Sequence, residues 1–295
     1  MSDKSTFAPG LALLPGQIKA DVHSLYRVLR SLDDLVDEDD PRAPERVQAV
    51  EAWARAGAAD SPTDPAPPPK AKADLPTDPS TYPPHPPGTD TPETRALADL
   101  ASRHSLPRES LLEFCEGMRH DIARASIEDD EDFERYCRQA GGSVGVVLAN
   151  LLGAAPSGAQ AGGEAESMGE AERKMATLGR AMQVTNILRD IDEDLAHGRL
   201  YIAQTAIERF GFPSPGAREA LLRDHIARAD ALYEDGLGAI ALLRDGGRAM
   251  ALSASLYREI LRQIERDGFG RRPGRAVVPL WRRRVLFARH RFAQL

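Results

Sequence analysis

Two pairs of aspartates, each spaced four residues apart, are the residues of this 295-residue chain best suited to chemistry. Asp33 and Asp37 lie in RSLDDLVDEDD, and Asp190 and Asp194 lie in VTNILRDIDEDLAHGRLY. Positions four apart lie above one another on an α-helix, so each pair presents two carboxylates from one stripe. Mg²⁺ prefers oxygen ligands and is usually held by a few carboxylates together with substrate phosphates. We therefore expect both pairs to face one cavity that binds Mg²⁺ and a diphosphate.

Other polar residues extend each aspartate pair into a longer stripe on a largely apolar helix. The first stripe consists of Tyr26, Arg30, Asp33 and Asp37, and the second of Gln183, Asn186, Asp190 and Asp194. A buried carboxylate without a partner is costly, so an inward stripe implies a metal ion, an arginine or water beside it. The alternative is a solvated outer face. We expect that setting for the neighbouring acidic residues Asp34, Glu38, Asp39, Asp40, Asp192 and Glu193.

The elements that must position these residues are helices, because apolar residues recur with helical spacing and the strand pattern is almost absent. We predict an all-α fold. The predicted helices span about 15–39, 44–57, 92–104, 107–124, 129–154, 166–196, 214–246, 249–267 and 279–292.

Residues from about 58 to 91 differ in composition from the rest of the chain. Twelve of the 22 prolines lie between positions 61 and 95, with almost no aliphatic residues among them. This composition predicts a flexible Pro-rich insertion. Because one aspartate pair precedes it and the other follows it, we predict a single helical domain over residues 1–295 that the insertion interrupts.

Composition excludes several classes of protein. The two cysteines, Cys115 and Cys137, leave no disulfide framework and no zinc or iron–sulfur spacing. There is no signal-peptide pattern, and no apolar run approaches the roughly 18 residues of a membrane span. We expect a cytoplasmic protein, and the net charge of −7 does not favour nucleic-acid binding.

Residues 271–295 form a basic segment with eight arginines and no acidic residue. Trp281, Leu286, Phe287 and Phe292 are interleaved with these arginines. An amphipathic helix of this kind could make peripheral contact with anionic lipid or close over a phosphate. We favour the plainer alternative, a terminal helix that packs its apolar side inward and leaves its arginines solvated.

The residue sequence of the two aspartate motifs is also characteristic. YRVLRSLDDLVDE and GRAMQVTNILRDIDEDLAHGRLY resemble the two aspartate-rich signatures of the squalene and phytoene synthase family of trans-prenyltransferases. The resemblance extends to ALLPGQIKADVHSLY, EGMRHDI, YCRQAGGSVGVVLANLLG and SLYREIL, and so covers most of the chain outside the insertion. It implies an isoprenoid-synthase-type helical bundle with a central cavity.

The resemblance also implies roles for individual residues. Asp33, Asp37, Asp190 and Asp194 would bind two to three Mg²⁺ ions together with a diphosphate. Arg30, Arg189 and Arg199 would contact the diphosphate, with Asp121 at an acidic position of the GMxxD segment. The residues that would line the reaction centre are Tyr26, Tyr136, Tyr257, Gln183 and Asn186, with Tyr201 as a weaker candidate for the same wall. Gly141, Gly142 and Gly145 would allow close approach of either a prenyl chain or a neighbouring helix.

The resemblance implies Mg²⁺-assisted ionisation of an allylic prenyl diphosphate, with farnesyl diphosphate as the expected donor. The cation would then be trapped either by the alkene of a second prenyl diphosphate, in head-to-head condensation, or by an aromatic acceptor such as the indole of a Trp-containing cyclodipeptide. A leader of only MSDKSTFAPG before Leu-Leu-Pro is compatible with the second reaction, because relatives bind one diphosphate in a longer leader. A third alternative is a non-catalytic subunit that binds isoprenoids, which the intact aspartates argue against.

Overall fold

The fold is all-α, as predicted. The computed structural model describes residue 6 and residues 8–59, 89–155 and 164–292, is 74% helical and has no strand in these ranges. The helices are α1 (Ala8–Leu11), α2 (Gly16–Asp37), α3 (Ala43–Ala59), α4 (Pro92–Ala101), α5 (Arg108–Ile122), α6 (Asp130–Cys137), a π-helical turn (Arg138–Gly142), α7 (Ser143–Leu152), α8 (Glu164–Ala196), α9 (Gln204–Phe210), α10 (Glu219–Gly236), α11 (Ala239–Leu242), α12 (Gly247–Arg266) and α13 (Leu280–Phe292).

Helices α2 and α8 carry the two aspartate motifs and lie at the centre of the packing. The 33-residue α8, about 50 Å long at the usual rise, packs against α6, α7, α10, α11 and α12. Helix α2 packs against α3, α4, α5 and α7. Its buried face consists mainly of apolar residues at helical spacing, including Val22, Leu25, Leu32 and Val36.

The helices before the predicted insertion pack on helices that follow it. Both α2 and α3 contact α4 and α5, so the aspartates of α2 are positioned by residues from both sides of the Pro-rich segment. Most of that segment lies outside the described residues. The assignment of the whole chain to one domain therefore stays a prediction. Of the helices described, none is long and apolar enough to cross a bilayer.

The prediction of one continuous helix over 129–154 was wrong in one respect. The path is helical throughout, but α6 and α7 are separated by the π-helical turn Arg138–Gly142. The physical reason is close packing against α8. A Cβ on Gly141 would lie 2.5 Å from the carbonyl oxygen of Gly179, and one on Gly145 would overlap the carbonyl oxygen of Met175. These glycines therefore serve close approach between helices rather than approach of a prenyl chain.

The prediction of a helix over 214–246 was also too long. Helix α10 begins at Glu219 and ends at Gly236, and the short α11 follows. Gly246 has a φ of +75°, which ends this region and caps the start of α12. The short helices α1 and α9 were not predicted, because four and seven residues are too few to show a period.

Candidate active site

An open cavity of about 1590 Å³ lies between α2, α5, α7 and α8 and reaches α12. Every residue predicted for the site lines this cavity, except Tyr201. The lining residues from that set are Tyr26, Arg30, Asp33, Asp37, Asp121, Tyr136, Gln183, Asn186, Arg189, Asp190, Asp194, Arg199 and Tyr257. Tyr201 lines a smaller neighbouring cavity of about 210 Å³, whose wall also contains Asp121 and Arg199. The structure thus brings both polar stripes to one space.

The carboxylates of α2 each have an arginine partner. The guanidinium of Arg30 lies 2.6 Å from the carboxylate of Asp33 and 2.5 Å from that of Asp34. Arg199 lies 2.6 Å from the carboxylate of Asp37 and also donates to the backbone oxygen of Val36. Burial, followed by repulsion from Asp37, raises the pKa of Asp33 to about 7 despite Arg30. Burial also raises the pKa of Asp37, against the opposing effect of Arg199.

The two site carboxylates of α8 differ in how far arginines neutralise their charge. Asp190 accepts two hydrogen bonds from Arg189, at 2.8 and 2.5 Å, and Arg275 lies 3.2 Å away. Asp194 forms no side-chain ion pair with any described residue. Burial, followed by repulsion from Asp190 and Asp37, raises the pKa of Asp194 to about 7. This carboxylate is therefore the least neutralised of the four.

Repulsion between carboxylates of different helices shows how close the two motifs come. The charge of Asp37 on α2 raises the pKa of Asp194 on α8, and the charge of Asp121 on α5 raises the pKa of Asp33. Five acidic side chains from three helices thus form one negative surface, with Arg30, Arg189 and Arg199 distributed among them. Such a surface attracts a divalent cation, and guanidinium groups of this kind can bind the oxygens of an anion beside it.

The oxygen atoms of this surface suit Mg²⁺ that is bound together with a diphosphate. No group of three or more His, Cys, Asp or Glu side chains in the described ranges forms a metal site by itself. Mg²⁺ does not require one, because it commonly keeps several waters and takes its remaining ligands from substrate phosphates. The buried oxygens Asp121 Oδ1 and Asn186 Oδ1 have no hydrogen-bond partner among described residues. Hard oxygens of this kind, beside carboxylates whose pKa is raised, suit a hydrated cation.

Aromatic residues line one side of the acidic surface. The hydroxyl of Tyr136 donates to Asp121 at 3.2 Å, and its ring stacks on Tyr201 with centroids 5.0 Å apart. Burial raises the pKa of Tyr136 and of Tyr201, so both hydroxyls are protonated over the ordinary pH range. Tyr257 on α12 is half-buried, its desolvation raises its pKa, and its hydroxyl faces Arg189. Tyr201 therefore supports Tyr136 from behind the main cavity.

Apolar side chains form the remaining wall of the cavity. Val28 and Leu29 come from α2, Phe114 and Met118 from α5, and Val144 from α7. The cavity can therefore hold a molecule with an anionic end beside the aspartates and a hydrocarbon part away from them.

Two functional contacts were not predicted from the sequence. Arg275, which was assigned to the basic tail, lines the cavity and lies 3.2 Å from both Asp190 and Glu193. The expectation that Asp192 is a solvated surface charge was wrong, because it forms an ion pair at 2.6 Å with the buried Arg218. Both contacts join residues far apart in the sequence, which helical spacing does not predict. The one signal in the sequence was the run of arginines in 271–295, which has no acidic residue to pair with locally.

Comparison with known proteins finds relatives in sequence and in fold. A phytoene synthase from Thermus thermophilus is 34% identical over 201 residues, which cover 65% of this chain and 65% of the relative. A 15-cis-phytoene synthase from Synechococcus elongatus is 29% identical, with 64% of each chain covered. The aligned part thus spans just under two thirds of the length of these relatives.

Solved structures extend the similarity to nearly the whole chain. A dehydrosqualene synthase in complex with a ligand matches with a TM-score of 0.74 and 24% identity, covering 98% of this chain and 91% of that one. A squalene synthase from Alicyclobacillus acidocaldarius matches with a TM-score of 0.66 and 24% identity, covering 90% and 89%. The sequence profile of the squalene/phytoene synthase family matches residues 2–282. This chain belongs to the squalene/phytoene synthase family.

Proposed function

We propose that the protein is a Mg²⁺-dependent prenyltransferase that joins two prenyl diphosphates head to head, with farnesyl diphosphate as the expected substrate. The observation that carries this proposal is the meeting of the α2 and α8 aspartate pairs across one cavity that also has an apolar wall. Membership of the family and the similarity to phytoene synthases support the same reaction class.

The residues of the cavity divide the work of such a reaction. Bound Mg²⁺ would supply the positive charge that makes the diphosphate a leaving group. Asp33, Asp37, Asp190 and Asp194 would hold the ions, while Arg30 and Arg189 bind diphosphate oxygens. The departing diphosphate leaves an allylic cation, which must be kept from water. The apolar side chains of α2, α5 and α7 exclude water from that part of the cavity.

The neutral tyrosines also suit an electron-poor intermediate. Tyr136 and Tyr257 present aromatic rings to the cavity, and burial keeps their hydroxyls protonated. The negative face of an aromatic ring stabilises a nearby cation without competing as a nucleophile. The hydroxyl of Tyr136 is directed at Asp121, which holds the ring in place.

Cavity size favours two prenyl chains over one. Pockets for drug-sized ligands are usually about 300–1000 Å³, and this cavity of about 1590 Å³ is larger. The same volume would also admit one prenyl chain and an aromatic acceptor such as an indole. That reaction is our second candidate, because both reactions begin with ionisation of a single prenyl diphosphate.

Incubation of the purified protein with Mg²⁺ and farnesyl diphosphate, with and without Trp-containing cyclodipeptides, tests the proposal by mass spectrometry. A C30 product from the diphosphate alone is the expected result. Product that requires the indole acceptor would replace head-to-head condensation with aromatic prenylation. A parallel incubation with geranylgeranyl diphosphate tests whether the protein uses this longer prenyl donor instead. Failure of both donors to react in any of these mixtures would favour a non-catalytic binding subunit.

A further inference from the structure

The outer face of α13 carries a largely exposed apolar stripe, in which the guanidinium of Arg282 lies over the Trp281 ring at 4.6 Å. Trp281, Val285 and Phe292 are 60%, 58% and 81% exposed, and they lie at i, i+4 and i+11, with Ala288 between them. These positions fall within a narrow sector of a helix at 3.6 residues per turn. Val277 and Leu280, just before this sector, are also exposed. Five exposed large apolar side chains in one short segment differ from the scattered exposure usual on a protein surface.

The opposite face of α13 holds the helix on the protein. The hydroxyl of Ser255 on α12 lies 2.9 Å from Nε2 of His290, and Arg282 lies 3.2 Å from Glu259. Leu286 and Phe287 are half-buried on this side. The expectation that the helix packs its apolar side inward therefore holds only in part, for these two half-buried side chains, because no residue of α13 is fully buried. The sequence did not predict the second apolar stripe on the outer face.

Arginines border the exposed stripe on both sides. Arg284 and Arg291 lie along one side of it and Arg289 along the other. All three are exposed, and none forms an ion pair with a described acidic residue. By contrast, arginines elsewhere in the structure are extensively paired, as with Arg258 and Asp230 at 2.7 Å. An apolar stripe between unpaired guanidinium groups matches the interface of a bilayer that contains anionic lipid.

We propose that α13 docks on an anionic membrane surface. Val285 and Phe292 would lie among the acyl chains and Trp281 at the headgroup level, with Arg284, Arg289 and Arg291 at lipid phosphates. Tryptophan suits the headgroup level, because its ring is amphipathic. The family match ends at residue 282, so most of α13 lies beyond it, although Trp281 lies within it. Self-association through the same stripe is less favourable, since it would bring like charges of two copies together.

Docking here would place the lipid close to the candidate active site. Arg275 lines the cavity, and the exposed Val277 and Leu280 follow it within five residues. Prenyl chains and their condensation products are hydrocarbons that partition into a bilayer. The proposal adds a site of attachment to the proposed function without depending on it, because lipid binding needs no turnover.

Co-sedimentation of the full chain with phosphatidylcholine vesicles, with or without phosphatidylglycerol, tests the proposal. We expect binding to the anionic vesicles that weakens as salt rises, because salt screens the arginines. Fluorescence gives a second readout. The chain has two tryptophans, and Trp53 is buried beneath Arg108, so a blue shift on binding would report Trp281. Absence of binding, or equal binding to neutral vesicles, would overturn the proposal.

Matched variants separate the two parts of the surface. Trp281→Ala with Val285→Ala, and separately Arg284→Gln with Arg291→Gln, should each weaken binding about tenfold or more. Phe212→Ala is the apolar control, since Phe212 is 53% exposed but lies outside α13. Arg209→Gln on α9 is the charge control. If the controls weaken binding as much as the α13 variants, or if the variants instead dissociate a dimer in sedimentation equilibrium, the proposal is wrong.

Discussion

At the scale of single residues, the two adjacent carboxylates Asp33 and Asp34 show how position on a helix decides a role. Both contact Arg30, but the pKa of Asp33 is raised to about 7 because burial and the neighbouring Asp37 disfavour its charge. We predict that Asp33→Asn lowers kcat/KM at least about 100-fold, since a cation ligand contributes several kcal/mol to stabilising developing charge. Steady-state kinetics with Mg²⁺ and a prenyl diphosphate would measure this.

Asp34→Asn is the matched control for this variant. It removes the same charge from the same turn and leaves Arg30 free to bind Asp33, so we expect kcat/KM to change less than about fivefold. Circular dichroism should be unchanged in both variants. Equal losses in the two would show that general negative charge near α2, rather than the carboxylate of Asp33, supports activity.

Asp194 gives a prediction about pH. Its pKa is raised to about 7, above the ordinary 3.8, by burial and by repulsion from Asp190 and Asp37. A carboxyl whose pKa is raised on folding contributes stability that is fully present below the unfolded value and is lost as pH rises through about 7. In metal-free protein, Asp194→Asn should therefore raise Tm at pH 8, by about 2–4 °C per kcal/mol, and by less at pH 5.

The comparison variant for this prediction is Asp224→Asn, because Asp224 is an exposed carboxylate on α10 outside the cavity. Its replacement should leave Tm nearly the same at both pH values. Thermal unfolding in EDTA measures all three proteins. A wild-type Tm that rises between pH 5 and pH 8, with no gain from Asp194→Asn, would contradict the raised pKa.

Residue spacing predicted most of the candidate site, because i, i+4 and i+7 positions on one helix lie together in any fold that keeps the helix. The side chains of Asp33, Asp37, Asp190 and Asp194 accordingly line one cavity. Arg275 and the pairing of Asp192 with Arg218 were not predictable in this way. The contact of Arg275 with Glu193 spans 82 positions of sequence, and that of Arg218 with Asp192 spans 26. Periodicity within a helix does not constrain contacts over such distances.

At the scale of elements, the contact of the π-helical turn and the start of α7 with α8 limits which residues can occur there. A Cβ on Gly145 would overlap the backbone oxygen of Met175, so Gly145→Ala should lower the free energy of unfolding by about 1–3 kcal/mol. Gly169→Ala is the control on α8, because the nearest atom to its Cβ would be 4.0 Å away. That substitution should be neutral or stabilising by up to about 1 kcal/mol. Urea denaturation distinguishes the two.

The ion pair of Asp192 with Arg218 ties α8 to the start of α10 and to the segment before α13. Arg218 is 1% exposed, donates to both oxygens of Asp192, and also contacts the backbone oxygen of Pro213. The backbone NH of Gly274 donates to the same carboxylate. Asp192→Ala would leave a buried guanidinium unpaired and should cost about 3–5 kcal/mol of stability.

Asp192→Asn with Arg218→Met provides the test of that explanation. Replacing both charges avoids the unpaired ion, so the double variant should recover part of the stability lost in Asp192→Ala. Urea denaturation should show this recovery. If the double variant were as unstable as Asp192→Ala, an unpaired Arg218 charge would not explain the loss, because Asp192→Asn keeps an oxygen that can accept from the backbone NH of Gly274.

Most long helices were predictable, whereas their interruptions were not. Apolar periodicity located α2, α3, α5, α8, α12 and α13 to within a few residues. The break within residues 129–154 and the end of α10 at Gly236 arise from tertiary contacts. A Cβ on Gly236 would lie 2.7 Å from the backbone nitrogen of Leu178, so that glycine is required by α8 and not by its own helix.

At the scale of the whole molecule, the candidate site joins parts of the chain that are remote in sequence. Arg199 contacts Asp37 across 162 positions, and Ser31 contacts Glu93 across 62 positions that include the Pro-rich segment. The electrostatic energy of the site is therefore part of the energy of folding. The negative charges of α2 and α8 repel one another unless a cation is bound between them.

This repulsion predicts how metal and diphosphate should act on stability. Mg²⁺ alone finds no complete ligand set among the described side chains, and pyrophosphate alone meets the carboxylates. Together they supply opposite charges and complete each other's coordination. We predict that Mg²⁺ with inorganic pyrophosphate raises Tm by more than the sum of their separate effects, by roughly 5–10 °C when both are well above their dissociation constants.

Thermal unfolding of the full chain with each component, both components, and both plus excess EDTA measures this coupling. The double variant Asp33→Asn with Asp190→Asn should lose the extra stabilisation, because each substitution removes a carboxylate facing the cation. Arg209→Gln, which removes an exposed charge on α9 outside the cavity, should retain the extra stabilisation. Stabilisation by pyrophosphate that persists in EDTA would mean that Arg30, Arg189 and Arg199 bind the anion without a metal, and that the carboxylates of α2 and α8 have another role.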